Sequence, residues 1–220
     1  MIYSSDPADW RDLQAKVGAI LRTCGCDVEI EKTIATVRGP VEVDVLAIDG
    51  AMTPPLTYIC ECKFWARAVD KSVIHGFRTV VADYGAHVGY IISRAGFQSG
   101  AFEAARNSNI RLVDWQQFQQ DFLERWKEGR YEGLRPVFER LFDFYDYVSA
   151  PIGNAISGKK DPLDEFNQLI RRFSAHAHAN PRDARIRREF PPILPYVAEE
   201  MDANGRVTTR TFDDYSSLFD

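Results

Sequence analysis

Residues 41–45 read VEVDV and residues 58–63 read YICECK, and these two stretches decide the fold. The first alternates apolar and acidic residues, and the second alternates cysteine with charged residues from Cys60 onward, which is typical of strands with unlike faces. Because side chains two apart point to the same side of a strand, Asp44 shares a face with Glu42 and Glu61 shares one with Lys63. A loop at residues 51–55 (AMTPP) separates the stretches, so we expect two adjacent strands of one sheet.

Helices and strands alternate on either side of this pair. The predicted elements are a helix at 9–23, strands at 28–37, 41–48 and 56–63, a helix at 69–84, a strand at 87–93, a helix at 98–107, a strand at 110–113 and a helix at 115–127. The first helix is expected to bury Trp10, Leu13, Val17, Ile20 and Leu21. This order predicts an α/β fold, in which a mixed central sheet carries helices on both faces.

The pattern changes at about residue 130, where strand signals stop. An aromatic helix is predicted at 134–148, a linker at 151–161 and a further helix at 164–178, and prolines interrupt the chain from residue 181. We therefore expect a core at residues 1–130 and a mainly helical C-terminal extension at 131–220.

Composition limits the classes of protein that the chain can represent. A hydrophobic content of 45% is enough for a packed core, and the net charge of −5 disfavours a general polyanion binder. Residues 171–188 form one basic window, with six arginines against a single aspartate, which fits a phosphate contact or a solvated helix. The sequence contains no long apolar run and its first residues do not resemble a signal peptide, so we expect a cytoplasmic protein that does not enter a membrane.

Four cysteines form two C-x-C pairs, at positions 24 and 26 and at positions 60 and 62. Zinc sites usually space paired cysteines more widely, so buried thiols are the expected state, with a zinc site as the alternative.

Two carboxylates and one ammonium are expected to meet on the predicted sheet. Charged groups are costly to bury unless they are paired or bind a metal, and carboxylate oxygens suit Mg²⁺, with Mn²⁺ able to replace it. Asp44 and Glu61 are the candidate metal ligands, the carbonyl of Cys62 is a further one, and Glu42 is a second choice. A metal held there would activate a water and polarise a phosphate, while Lys63 would stabilise negative charge. The alternative is a salt-bridge cluster on a solvated sheet face.

The sequence resembles a known family over about residues 9–118. The matching segments are GPVEVDV at 39–45, ECK at 61–63, DYGAHVGYIIS at 83–93 and an alanine-bearing segment from Gly96 to Leu112. In this order and spacing they resemble the Mrr-like restriction endonucleases of the PD-(D/E)XK superfamily. The resemblance implies a restriction-endonuclease-like core with Asp44, Glu61 and Lys63 as catalytic residues. Gln14 is placed where the family often carries a glutamate, and it is counted with the catalytic residues on that ground.

The resemblance also implies a function. The expected activity is Mg²⁺-dependent endonucleolytic cleavage of DNA in restriction or anti-phage defence. The alternatives are a catalytically dormant nucleic-acid-binding or scaffold subunit and an RNA nuclease on the same fold. DNA is the expected partner, and a homodimer or a protein partner would bind through the C-terminal extension, for which the aromatic helix could supply an interface. Further residues weighed near the site are His75, which is more often structural, and the flanking cations Arg67, Lys71, Arg78 and Arg94.

Overall fold

A five-stranded mixed sheet is the centre of residues 1–129. The computed structural model describes residues 1–149, 194–201 and 207–219. In chain order the first elements are α1 (Trp10–Thr23), β1 (Asp27–Thr36), β2 (Gly39–Asp49), β3 (Leu56–Lys63), α2 (Lys71–Tyr84), β4 (Val88–Ser93), α3 (Ser99–Ala105), β5 (Ile110–Val113) and α4 (Trp115–Ser149).

The sheet order is β1-β2-β3-β4-β5, and its sense changes at β3. β2 pairs antiparallel with both β1 and β3, whereas β3, β4 and β5 run parallel. The parallel connections pass through α2 and α3, as parallel neighbours require a crossover. The expected α/β class, with a mixed sheet and flanking helices, is confirmed.

Two apolar layers hold the helices to the sheet. Ile59 and Ile91 are fully buried in a cluster with Ile74 and Phe77 of α2. Elsewhere Tyr90 packs against two aromatic rings of α4, those of Phe118 and Phe122, at centroid distances of 5.4 and 5.6 Å. Each such side chain contributes about 1.5–3 kcal/mol when it is fully buried, so these layers position the strands that carry the charged residues.

The helix α1 begins at an aspartate cap, since Asp9 accepts a hydrogen bond from the backbone N of Asp12 at 2.8 Å. Four of the five residues expected to be buried on this helix are buried: Leu13, Val17, Ile20 and Leu21. The expectation for Trp10 is wrong. As the first residue of α1, it is 42% exposed, and the Arg11 guanidinium lies 4.5 Å from its ring centroid.

The helix α4 makes an unusually close approach to α1. A Cβ atom added to Gly129 would lie 1.7 Å from the carbonyl oxygen of Thr23, the last residue of α1. Only a residue without a side chain allows this contact. The two helices predicted at 115–127 and 134–148 are one continuous helix in the structure.

Strands also occur after residue 130, which corrects the expectation that none would. Tyr196–Met201 (β6) and Val207–Phe212 (β7) pair antiparallel, and a short helix, α5 (Tyr215–Phe219), follows. The chain divides into two compact units, Met1–Gly129 and Arg130–Asp220. The linker predicted at 151–161, the helix predicted at 164–178 and the basic window at 171–188 lie outside the described residues. Among the helices that the structure describes, none has the length and apolar character to cross a membrane.

Candidate active site

Asp44 lies where β2 and β3 separate. The pairing of these strands runs from Asp49 opposite Leu56 to Val45 opposite Cys60, and Asp44 is the next residue along β2. Its Oδ2 accepts a hydrogen bond of 2.6 Å from the backbone N of Cys62. The Asp44 side chain therefore bonds to β3 just beyond the point where the backbone pairing of β2 and β3 ends. This hydrogen bond holds its carboxylate beside the segment that contains Glu61 and Lys63.

The first helix supplies a second donor to the same carboxylate. The side-chain Nε2 of Gln14 donates to Oδ1 of Asp44 at 2.8 Å, and Gln14 itself is 5% exposed. Each carboxylate oxygen can accept more than one hydrogen bond or ligand, so both oxygens of Asp44 keep capacity for a cation. The contact spans 30 residues of sequence and joins α1 to β2.

Glu61 and Lys63 form an ion pair on β3 through Oε1 and Nζ, with side chains only 22% and 17% exposed. The Lys63 Nζ also lies 4.9 Å from the ring centroid of Trp65. Burial raises the pKa of the Glu61 carboxyl, the negative charge of Asp44 raises it further, and Lys63 lowers it. The structure thus brings Asp44, Glu61 and Lys63 together, with Gln14 and Cys62 in contact with Asp44.

A hard divalent cation fits this set of oxygen atoms. Two carboxylates that repel each other gain from a shared cation, and the backbone carbonyl of Cys62 belongs to the same segment of β3. Among the described residues, no group of three or more His, Cys, Asp or Glu side chains could hold a metal. Mg²⁺ does not need such a cage, because it keeps several waters and usually binds through one or two carboxylates plus substrate phosphates.

Within the described residues, the cysteines do not form a site for a soft metal ion. Cys24, Cys26, Cys60 and Cys62 are free and buried. Burial raises the pKa of each thiol, that of Cys24 to about 12. Thiols of this kind pack as small apolar groups and are poor metal ligands and nucleophiles.

A distorted position lies in the neighbouring strand, opposite Asp44. The β1–β2 pairing is regular on both sides of Glu31 and Asp44 but omits these two residues. Glu31 has a φ of 52°, a left-handed conformation that costs a non-glycine residue about 1–2 kcal/mol. Because the backbone is irregular at this point, Asp44 is not paired with β1 either.

The remaining residues that the sequence pointed to differ in their surroundings. Glu42 and His75 are exposed, and so are Arg67, Lys71 and Arg94. Arg78 differs, because its Nη1 donates to the carbonyl of Ala104 at 2.6 Å and therefore has a structural partner. Sequence reasoning missed Trp65, which contacts Lys63 and also lies 5.3 Å from the guanidinium of Arg67. Its position directly after the strand was the only available indication.

Comparison with known proteins identifies the family. The model of the restriction endonuclease family Mrr_cat matches residues 6–121, and the chain belongs to this family. No curated protein matches. The resemblance stated from the sequence motifs is thereby confirmed.

Two solved structures are similar to parts of the chain. One is a crystal structure of a protein of unknown function, AF1548, with 19% identity and a TM-score of 0.43, covering 53% of this chain and 64% of that one. The other is the MspJI restriction endonuclease in complex with a 27-mer oligonucleotide, with 16% identity and a TM-score of 0.34, covering 71% of this chain and 34% of that one. The chain thus spans less than two thirds of either protein.

Proposed function

We propose that the chain is a metal-dependent endonuclease that hydrolyses DNA phosphodiester bonds. The observation that carries this proposal is the convergence of Asp44, Glu61 and Lys63 where β2 and β3 separate, with Asp44 held by two hydrogen bonds. Membership of a restriction endonuclease family supports it. A solvated salt-bridge cluster is a poorer explanation, since both charged groups of β3 are largely buried.

Each residue of the site has a distinct role in this proposal. Asp44, Glu61 and the carbonyl of Cys62 would hold the metal ion. Bound Mg²⁺ supplies Lewis-acid polarisation of the scissile phosphate and lowers the pKa of a water molecule. Lys63 orients the attacking water or stabilises the negative charge that develops on the phosphoryl oxygens. Gln14 and the backbone N of Cys62 keep the Asp44 carboxylate in place, so it does not have to reorganise during the reaction.

The biological setting that fits this activity is restriction or anti-phage defence. Cleavage of both strands commonly requires two active sites, so we propose that the chain acts as a homodimer or with a partner protein, through residues 131–220. Family membership supports the defence role.

Cleavage of supercoiled plasmid with Mg²⁺ or Mn²⁺ tests the activity. We expect the wild-type chain to nick or linearise the plasmid, and Asp44→Asn and Lys63→Ala to lose roughly a hundredfold or more in rate. Glu103→Ala, an exposed carboxylate on α3, is the matched control and should cut like the wild type. Circular dichroism would show that the variants fold. Equal cutting by all four proteins would mean that the site is misplaced or that a contaminant cuts.

A dormant scaffold on the same fold is the second candidate, and one observation favours it: position 14 holds an amide rather than the family's glutamate. Thermal unfolding separates the two. If the chain is an enzyme, Mg²⁺ should raise the melting temperature of the wild type but not that of Asp44→Asn. The reason is that a ligand that binds the folded state stabilises the folded protein. Digestion of RNA and DNA side by side would separate an RNA nuclease from a DNA nuclease.

A further inference from the structure

A cavity of about 380 Å³ opens between the start of α1 and the carboxyl ends of β3, β4 and β5. The carboxyl ends of parallel strands are frequent ligand sites in α/β folds. A volume of this size accommodates a small ligand but not a duplex. The cavity is lined by Asp6, Pro7, Ala8, Leu13, Phe64, Ile92, Ser93, Arg94, Asp114, Trp115 and Gln116.

Two residues of the cavity wall are sequence neighbours of residues in the candidate active site. Leu13 precedes Gln14, and Phe64 follows Lys63. The backbone N of Arg94 donates to the carbonyl of Lys63 at 3.0 Å. A ligand in this cavity would therefore contact the residues that directly flank the catalytic ones.

The side chain of Trp115 forms part of the cavity wall. The residue is 6% exposed, and its Nε1 is buried with no hydrogen-bond partner among the described residues. Its ring is held by stacking contacts with Tyr3 and Phe118, at centroid distances of 6.0 and 6.3 Å. At this point the cavity wall is therefore an aromatic ring that its neighbours hold in a fixed position.

Arg94 presents a positive charge at the same cavity. Its guanidinium lies 4.6 Å from the ring centroid of Phe64, and none of the ion pairs within the described residues includes it. A guanidinium oriented by an aromatic face is well suited to bind a phosphate. Phe64 and Trp115 add aromatic surface of the kind on which bases stack.

We propose that this cavity receives one unstacked nucleotide of the DNA strand next to the cleaved phosphate, with Arg94 on its phosphate and Phe64 and Trp115 around its base. The inference rests on the proposed nuclease function and adds a substrate-positioning site to it. Asp6 and Asp114 also line the cavity, and their carboxylates accept hydrogen bonds from base amino groups. The same two charges disfavour a nucleoside triphosphate, whose several negative charges they would repel.

The test combines nucleotide binding with cleavage, using the full-length chain. Each of the four deoxynucleoside 5′-monophosphates is titrated by NMR against the wild type, Arg94→Ala, Trp115→Phe and a control, Arg106→Ala, which alters an exposed arginine outside the cavity. We expect saturable binding to the wild type and the control, roughly tenfold weaker binding to Arg94→Ala, and roughly fivefold weaker binding to Trp115→Phe, which loses part of the aromatic wall. Trp115→Phe also leaves a gap in a packed place, so circular dichroism has to show that this variant folds.

The binding measurement and the cleavage measurement test this inference and the nuclease function separately. A wild type that binds nucleotide as described but never cuts plasmid contradicts the proposed function, and the cavity assignment stands as a nucleotide site. A wild type that cuts plasmid, with Arg94→Ala and Trp115→Phe matching the control in cutting and in nucleotide binding, overturns the cavity assignment. Absence of nucleotide binding to the wild type overturns it as well.

Discussion

Gln14 shows how one side chain sets the charge of the candidate site. Its amide donates a hydrogen bond to Asp44, which a glutamate at the same position could do only if it were protonated. The amide therefore stabilises the ionised carboxylate without adding a third negative charge beside Asp44 and Glu61. The site consequently depends less on a bound cation for its stability than one with three carboxylates would.

Gln14→Glu tests this interpretation. With EDTA present, we expect the substitution to lower the free energy of unfolding by roughly 1–3 kcal/mol, because it removes a donor and brings like charges together in a buried place. Mg²⁺ should recover much of that loss, so the rise in melting temperature on adding Mg²⁺ should be larger than for the wild type. Calorimetry with EDTA and with Mg²⁺ measures both effects.

Gln14→Leu is the control for this prediction, since it removes the donor without adding charge. It should be destabilised with and without Mg²⁺ alike. A variant Gln14→Glu whose melting temperature responds to Mg²⁺ no more than that of Gln14→Leu would contradict the interpretation.

Part of this site could be predicted from the sequence because it follows from local strand geometry. The rest could not, because it depends on contacts between elements. Alternation along a strand places Glu61 and Lys63 on one face, and this follows from local geometry. The contact between Gln14 and Asp44 joins residues from two elements, and helical spacing predicts only that a residue is buried, not which atom it meets. The unpartnered nitrogen of Trp115 likewise depends on packing that no local pattern encodes.

At the scale of the elements, the approach of α4 to α1 depends on one glycine. A Cβ atom at position 129 would overlap the carbonyl oxygen of Thr23, a backbone atom that cannot rotate away. Helix propensity alone would favour alanine at this position by about 1 kcal/mol. Packing therefore works against local preference at Gly129.

We expect Gly129→Ala to destabilise the protein by about 1–3 kcal/mol, because the helices must move apart. Gly133 of the same helix is the control, since a Cβ atom there meets nothing within 4 Å. Gly133→Ala should stabilise the helix by about 0.5–1 kcal/mol. Urea unfolding of both variants measures the difference, and a stabilising effect of both would show that the close approach does not hold in solution.

Elements were predicted well where their pattern is strong and poorly where it is not. The strand at 110–113 and the strand at 56–63 have the predicted bounds, and each begins directly after turn-forming residues, NSN at 107–109 and TPP at 53–55. The hairpin of β6 and β7 was missed, since prolines precede it and β7 (VTTRTF) has little apolar alternation. The length of α4 was missed because two glycines and a charged stretch hide its continuity.

At the scale of the whole molecule, a buried ion pair links the sheet to α4. Arg125 Nη1 lies 2.6 Å from Oδ2 of Asp49, whose side chain is 2% exposed. The hydrogen bond from Arg125 lowers the pKa of Asp49 below its ordinary 3.8, against the opposing effect of burial. An acid whose pKa is lowered on folding stabilises the folded state at higher pH, and this contribution is lost as the pH falls through the folded-state pKa.

We therefore expect acid destabilisation below about pH 4 to be weaker in Asp49→Asn than in the wild type. At pH 7 the same substitution should cost about 2–3 kcal/mol, because a charge-assisted hydrogen bond in a buried place is lost. Urea midpoints measured from pH 7 to pH 3 test both statements. Asp83→Asn is the control: Asp83 pairs with Arg38, whose side chain is 72% exposed, and this pair should contribute less than about 1 kcal/mol. Parallel pH profiles for the wild type and Asp49→Asn would count against this assignment.

The change of sense at β3 has a consequence for the order of folding. β1, β2 and β3 are consecutive antiparallel strands within residues 27–63, so their contacts close short loops. The parallel pairs β3–β4 and β4–β5 must wait for intervening helices, and such distant contacts form later because longer loops have to close. The strands that carry Asp44, Glu61 and Lys63 are thus the ones able to pair while the ribosome is still making the remainder of the chain.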